Sequence, residues 1–197
     1  VYSPLNNENE EIRVLLLQPD TEGQPIHCSL EIVSLQAWPD YEALSYVWGD
    51  ASNLKSIYID ETAKYETENL EIALLHLRHE TQHRRLWVDA VSINQEDNDE
   101  KSKQVEQMKK IYQFASRVLV WLGKEENGSD LGMELLETFD SWVEVGVAET
   151  INAVLTENDW DRAFGLIYPI FFRRWWTRAW TLQEYVVARE PPLIGCG

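Results

Sequence analysis

Within R-R-W-W-T-R-A-W-T-L-Q-E, residues 173 to 184, one carboxylate, Glu184, follows three tryptophans and three arginines. Read as a continuous helix, Trp176, Trp180 and Glu184 fall at i, i+4 and i+8 on one stripe, which sets an ionisable group beside two large apolar rings. A desolvated carboxylate in such a setting is a candidate for catalytic work. The bland alternative makes the tryptophans core and Glu184 the solvent edge of the helix. Local charge bears on the choice. The chain carries 34 acidic and 17 basic side chains, yet residues 162 to 189 hold Arg162, Arg173, Arg174, Arg178 and Arg189 against Glu184 alone. Such an island is too small for general nucleic-acid binding, which needs many phosphate contacts, but it suits a small anion such as a dinucleotide pyrophosphate. The arginines can equally pair with acids upstream, because Lys124 to Asp159 contains ten acids and one base.

A second constellation is H-E-T-Q-H, His79 to His83, which satisfies the H-E-x-x-H pattern of zinc hydrolases through His79, Glu80 and His83. Its context argues against that chemistry. On a helix starting near Glu68 the core stripe is Leu70, Leu74 and Leu77, and His76, His79 and His83 project to nearly the opposite side, toward water. No metal site is assigned. Neither G-x-G-x-x-G nor a Walker A sequence is present, so no bound cofactor is expected, and no Ser-His-Asp or Cys-His set has a recognisable spacing.

The elements that must position these residues read as follows. Ile12 to Leu17 and Ile26 to Val33 are predicted strands around a turn-prone Pro19 to Pro25 segment. Ala43 to Trp48 is an apolar strand ending at Gly49-Asp50, Ser56 to Asp60 a short one, and Glu68 to His79 a helix. A strand over Leu86 to Ile93, a helix over Glu100 to Ala115 and a strand over Arg117 to Leu122 follow, the helix presenting Val105, Met108, Ile111, Tyr112 and Ala115 on one face. A helix over Asp130 to Val145 carries Leu131, Leu135, Phe139 and Trp142 and ends at Gly146. A less regular link then leads to Pro169, the Trp/Arg helix and a last strand at Leu193 to Cys196. Alternating strands and helices predict an α/β fold with a mostly parallel sheet flanked by helices. Ligands in such sheets bind beyond the carboxyl ends of the strands. Ser45, Tyr46, Trp48, Gly49, Asp50, Asp89, Asn94 and Gln95 all fall near such ends and would form one pocket with Glu184. Each also has a structural role open to it: Trp48 as core, Gly49-Asp50 as a turn, Asp89 as a buried acceptor, Asn94 as a cap.

At 197 residues and 44% hydrophobic, with nine tryptophans, the chain can bury one sizeable core. Its net charge of −17 disfavours both nucleic acid and anionic membranes. No apolar run has transmembrane length and no signal-peptide pattern opens the chain, so a cytoplasmic location is expected. Cys28 and Cys196 are read as reduced thiols. The start at Val1 and the stop just after Leu193-Ile194 suggest a piece of a longer protein.

Three segments, Y-E-A-L-S-Y-V-W-G-D (Tyr41 to Asp50), L-W-V-D-A-V-S-I-N-Q-E-D (Leu86 to Asp97) and R-A-W-T-L-Q-E, resemble in that order the signature blocks of the fungal heterokaryon-incompatibility (HET) domain, and Gln104 to Gly123 is similar as well. The resemblance covers about residues 10 to 197 with a variable stretch near 124 to 165. It implies a single HET domain with an N-terminal β extension (1–40), an α/β core (41–123), a helical insertion (124–165) and a Trp/Arg helix with the last strand (166–197). That family acts in non-self recognition and cell death, and it is distantly similar to Toll/interleukin receptor (TIR) domains, which implies a TIR-like, flavodoxin-like sheet. Some TIR domains cleave NAD with a glutamate in W-x-x-x-E, a pattern reproduced by Trp180 to Glu184. The resemblance therefore implies Glu184 as a catalytic carboxylate that orients ribose hydroxyls and stabilises an oxocarbenium-like transition state, Trp48 or Trp180 stacking on a ring, and Arg178 on the pyrophosphate. Nicotinamide leaves as a neutral molecule, so one carboxylate suffices, unlike paired-carboxylate glycoside hydrolysis. It further implies self-association and a downstream domain or signalling partner. The competing reading is a non-enzymatic interaction module.

Overall fold

The computed structural model describes residues 2–19, 24–144 and 157–197. Among these, eight strands form one sheet: β1 (Glu11–Leu17), β2 (His27–Ser34), β3 (Glu42–Tyr46), β4 (Leu54–Ile59), β5 (Thr62–Thr67), β6 (Arg84–Trp87), β7 (Arg117–Trp121) and β8 (Leu193–Gly195), in the order β5-β4-β2-β1-β6-β3-β7-β8. The half β6-β3-β7-β8 is wholly parallel, while β1 pairs antiparallel with both β2 and β6. The N-terminal strands β1 and β2 thus belong to the same sheet. Within the parallel half, the strands β6, β3, β7 and β8 lie side by side in that order.

Residue alternation explains why both faces are covered. Leu44, Tyr46, Leu86, Val88, Leu119 and Trp121 point to one side, where they pack with Leu70, Ala73 and Leu74 of α1 (Glu68–Leu77). Ala43, Trp87, Val118 and Val120 point to the other, against Met108, Ile111 and Tyr112. Those three belong to a helix spanning Asn98–Phe114, whose Asp97 side chain caps the amides of Asp99 and Glu100. Strands buried on both faces read as near-continuous apolar runs, and for that reason β3 and β7 were legible, whereas of β6 only Leu86 and Trp87 fall within the predicted strand.

Several expectations are corrected. The strand predicted over Leu86 to Ile93 stops at Trp87, and a helical turn, α2 (Asp89–Ser92), follows. Asp89 accepts the amide of Ala90, and the Ser92 hydroxyl accepts that of Val88, so polar side chains close a turn inside a run that β-branched residues disguise. The long helix Asn98–Phe114 is α3. Strand β5 has no counterpart in the prediction, because its T-A-K-Y-E-T is largely polar and it turns on Asp60-Glu61, both at positive φ (47° and 62°), instead of on a glycine.

The link before the Trp/Arg segment is a helix, α5 (Glu157–Phe171), with Pro169 inside its last turn, packed against α4 (Ser129–Glu144). On α4 the expected face is only partly right: Leu131 is exposed, and Met133 and Leu136 meet the core. The side chain of Trp142, the Gly146 helix end and most of the Pro19 to Pro25 turn lie outside the described residues. Gly132 sets the α4/α5 distance, since a Cβ there would stand 2.5 Å from the carbonyl oxygen of Leu166. Gly132→Ala is accordingly expected to lower stability by about 1–3 kcal/mol, although alanine favours helices, and urea unfolding checks the sign.

Most important for the site, residues 173 to 184 are not one helix. A 3-10 turn (Arg174–Thr177) and an extended Arg178 precede a separate short helix, α6 (Thr181–Val186). The i, i+4, i+8 stripe of Trp176, Trp180 and Glu184 is therefore broken.

Candidate functional site at the strand ends

Ser45 sits near the end of β3 on the side of the sheet that faces α3 and α6. Its hydroxyl donates a short hydrogen bond to Oε2 of Glu184 and accepts one from the indole Nε1 of Trp175 at 2.7 Å. Arg178 clamps the same carboxylate with two bonds of 3.1 Å, one to each oxygen. Glu184 is only 1% exposed and Trp175 is fully buried. The expectation of Glu184 on a solvent edge is thus excluded, and so is its pairing with Trp176 and Trp180. Trp176 turns away to donate to the carbonyl of Ile170, and Trp180, 49% exposed, stands at the start of α6. Trp175 is the tryptophan that reaches the site. A cue was available in Thr181-x-x-Glu184, a capping-box spacing that marks helix starts. Here the Thr181 hydroxyl instead donates to the carbonyl of Trp175 at 2.8 Å, which folds the 3-10 turn back on α6.

Asp89 lies beside this cluster, close enough for its charge to feel both Arg178 and Glu184. Its Oδ2 accepts from Nε1 of Trp48 at 2.8 Å, and its backbone carbonyl accepts from Nε2 of Gln95 at 3.0 Å. Burial pushes the Asp89 carboxyl up from an ordinary 3.8 to about 6, against the opposing pull of the Trp48 and Ala90 hydrogen bonds and of Arg178. The native state therefore keeps a proton there that the unfolded chain has lost. Stability from this group is fully present below about pH 4 and is lost as pH rises through 6. Wild type compared with Asp89→Asn is expected to lose on the order of 2–3 kcal/mol between those limits, read from urea midpoints; parallel profiles would contradict it.

The remaining predicted residues are divided between neighbouring places. Tyr46, Trp48, Asn94 and Gln95 line a cavity of about 460 Å³ together with Lys64 and Glu66. The Tyr46 hydroxyl is buried without a hydrogen bond of normal geometry; burial first, then the nearby Asp89 and Glu66 carboxylates, holds it well above the usual phenol range. Asn94 is fixed by Glu100, which accepts its amide and both Nη groups of the buried Arg13. Gly49, at φ +89°, turns the chain away from β3, and exposed Asp50 caps the amide of Ser52. Gly49 faces a different cavity, of about 530 Å³, on the β7 side. Neither of these two cavities has Glu184 in its wall. Arg173, expected in the basic island, pairs with Glu126 at 3.2 Å, which supports the upstream-acid alternative for that arginine.

The zinc pattern has no helix to carry it. Helix α1 ends at Leu77, and the Nδ1 of His79 accepts the amides of Thr81 and Gln82. Among the described residues no group of three or more His, Cys, Asp or Glu side chains could hold a metal ion. No helix of the described residues is long and apolar enough to cross a membrane.

The family described as Heterokaryon incompatibility protein (HET) matches residues 41–184, a span that begins at buried Tyr41 and ends at Glu184. Heterokaryon incompatibility protein 6, OR allele, of Neurospora crassa is 30% identical over 98% of this chain and 34% of its own length, so the chain spans about a third of that relative. No solved structure matches the chain significantly. With the family match covering most of the sequence and both the β3 end and the α6 carboxylate inside it, the chain belongs to the heterokaryon-incompatibility family.

Proposed function

We propose that this chain is the self-recognition and cell-death signalling domain of a larger cytoplasmic incompatibility protein, and that the cluster of Ser45, Trp175, Arg178 and Glu184 is its working centre. Family membership supports the first part. The second is carried by one observation: a fully buried carboxylate held at the carboxyl end of β3, an inner strand of the parallel half-sheet, by Arg178 and by a serine that a buried tryptophan fixes in turn. A core would rarely keep such a charge without a task for it, because burying an ion pair seldom gains stability over apolar packing.

The reaction proposed for this centre is NAD cleavage, and the distant TIR likeness supports it. Arg178 would leave the carboxylate for the dinucleotide pyrophosphate, and Glu184 would then orient the ribose and stabilise the oxocarbenium-like charge as the bond to nicotinamide breaks, nicotinamide departs neutral, and water adds to the ribosyl carbon with release of a proton. The resting geometry, with both Glu184 oxygens occupied, matches a domain that acts only after self-association rearranges α6. The same closed pair favours a second reading, an interaction module without turnover, in which exposed Trp180, Leu182 and Val186 on and beside α6 contact a partner. Expression of the chain in a filamentous fungus, free and fused to an oligomeriser, tests the signalling role. Death on clustering is expected, and its loss in Glu184→Gln with retention in Trp180→Ala would favour the enzyme over the contact surface.

A further inference from the structure

In the order β5-β4-β2-β1-β6-β3-β7-β8, chain leaving β3 returns to the sheet on its β6 side, first at β4 and β5 and then at β6, whereas chain leaving β7 returns at β8, on the opposite side. The crevice between the carboxyl ends of β3 and β7 is therefore the topological switch point of the parallel half-sheet, the general place for a ligand in such folds. The cavity of about 530 Å³ occupies it, walled by Val47 and Gly49 after β3 and by Leu122, Gly123 and Lys124 after β7. Its volume lies in the range of small-molecule sites. Gly49 and Gly123 both have left-handed backbone, φ +89° and +110°, so both exits turn sharply, with the Asn69 side chain between them.

The charge of this cavity is opposite to that of the protein. Three cations line it, and the one acid among its walls, Glu126, is engaged by Arg173. Arg173 is spent: its guanidinium also donates to the carbonyls of Lys124 and Glu126 and to the Ser129 hydroxyl. Lys124 and Arg174 are exposed and have no ion pair among the described residues, in a chain with twice as many acids as bases. Where acidic partners are abundant, two cations left unpaired on one crevice mark a place for an external anion. Beside them Phe172 lines the same cavity, is largely exposed and has a ring contact with Tyr168.

From this geometry we infer a binding site for a nucleoside diphosphate at the β3/β7 switch point, with the phosphates on Lys124 and Arg174 and the base against Phe172. Free phosphate would fill too little of the volume, and a neutral nucleoside would leave both cations unused. The site is separate from the Ser45 and Glu184 cluster and does not depend on turnover there, so it could serve equally to sense a nucleotide.

Calorimetric titration of the 197-residue chain with ADP, pyrophosphate and adenosine tests it. ADP is expected to bind, pyrophosphate more weakly and adenosine not measurably, with affinity falling as salt is raised. Lys124→Ala and Arg174→Ala should each weaken ADP about tenfold, and together abolish binding, since each removes a charge-assisted contact. Phe172→Ala should weaken ADP and leave pyrophosphate unchanged. The three side chains make few contacts within the fold, and circular dichroism would verify that the variants remain folded. Absence of ADP binding, or undiminished binding in the double variant, overturns the inference. Binding lost in folded Glu184→Gln but kept in the double variant also overturns it, by assigning the nucleotide to the other cluster. Nicotinamide release is read separately, so failure here and failure of the NAD reading are distinguishable.

Discussion

Arg178→Ala is expected to lower the unfolding free energy by about 3 kcal/mol, the lower end of what removing one partner of a buried ion pair costs. The lower end applies because Arg178 keeps 22% of its side chain in contact with solvent while Glu184 keeps 1%. The loss has two parts: two charge-assisted hydrogen bonds disappear, and the Glu184 carboxylate stays buried with only Ser45 to satisfy it. The second part is removed by neutralising the acid. The double variant Arg178→Ala/Glu184→Gln should therefore recover about 1–2 kcal/mol relative to the single one, a coupling that urea unfolding of the four-member cycle measures. Additive losses would mean that the pair does not interact as the geometry indicates.

Trp175→Ala is expected to cost about 3–5 kcal/mol, the range for truncating a fully buried aromatic residue. Its indole packs edge-on against Trp176 and donates to the Ser45 hydroxyl, so truncation opens a cavity and leaves Ser45 with one partner fewer. Trp176→Ala should cost less, since Trp176 is 36% exposed, and Trp180→Ala, at 49% exposure, less again. Thermal or urea unfolding of the three variants ranks them, and the order is opposite to that of the helical stripe read from sequence, which gives Trp176 and Trp180 the neighbourhood of Glu184.

That reversal shows where sequence reasoning succeeded and where it did not. The importance of Glu184 was legible because one acid stands in an arginine and tryptophan run, and its contact with Ser45 was foreshadowed by the strand-end argument. The identity of the contacting ring was not, because a 3.6-residue period was applied across Arg178, where the backbone is extended. The apolar strands β3 and β7 were legible because both of their faces are buried, and β6 only over Leu86 and Trp87, its buried half. Strand β5 was not, since the largely exposed T-A-K-Y-E-T at the sheet edge leaves no apolar signature. Helix α5 was hidden by Pro169, which reads as a breaker, yet Pro169 falls inside the last turn, just before the helix ends at Phe171. The division of the predicted pocket between two cavities follows from a fact beyond sequence spacing: within the one segment that ends and leaves β3, Tyr46 and Trp48 face one cavity while Val47 and Gly49 face the other.

Nicotinamide release from NAD by the purified chain, compared dilute and artificially clustered and alongside Glu184→Gln, tests the central claim most directly. The account predicts little release when dilute, release on clustering, and none from the variant under either condition. Release that persists in Glu184→Gln would contradict the role given to this carboxylate. No release from the folded, clustered wild-type chain would contradict the enzyme reading and favour the interaction module.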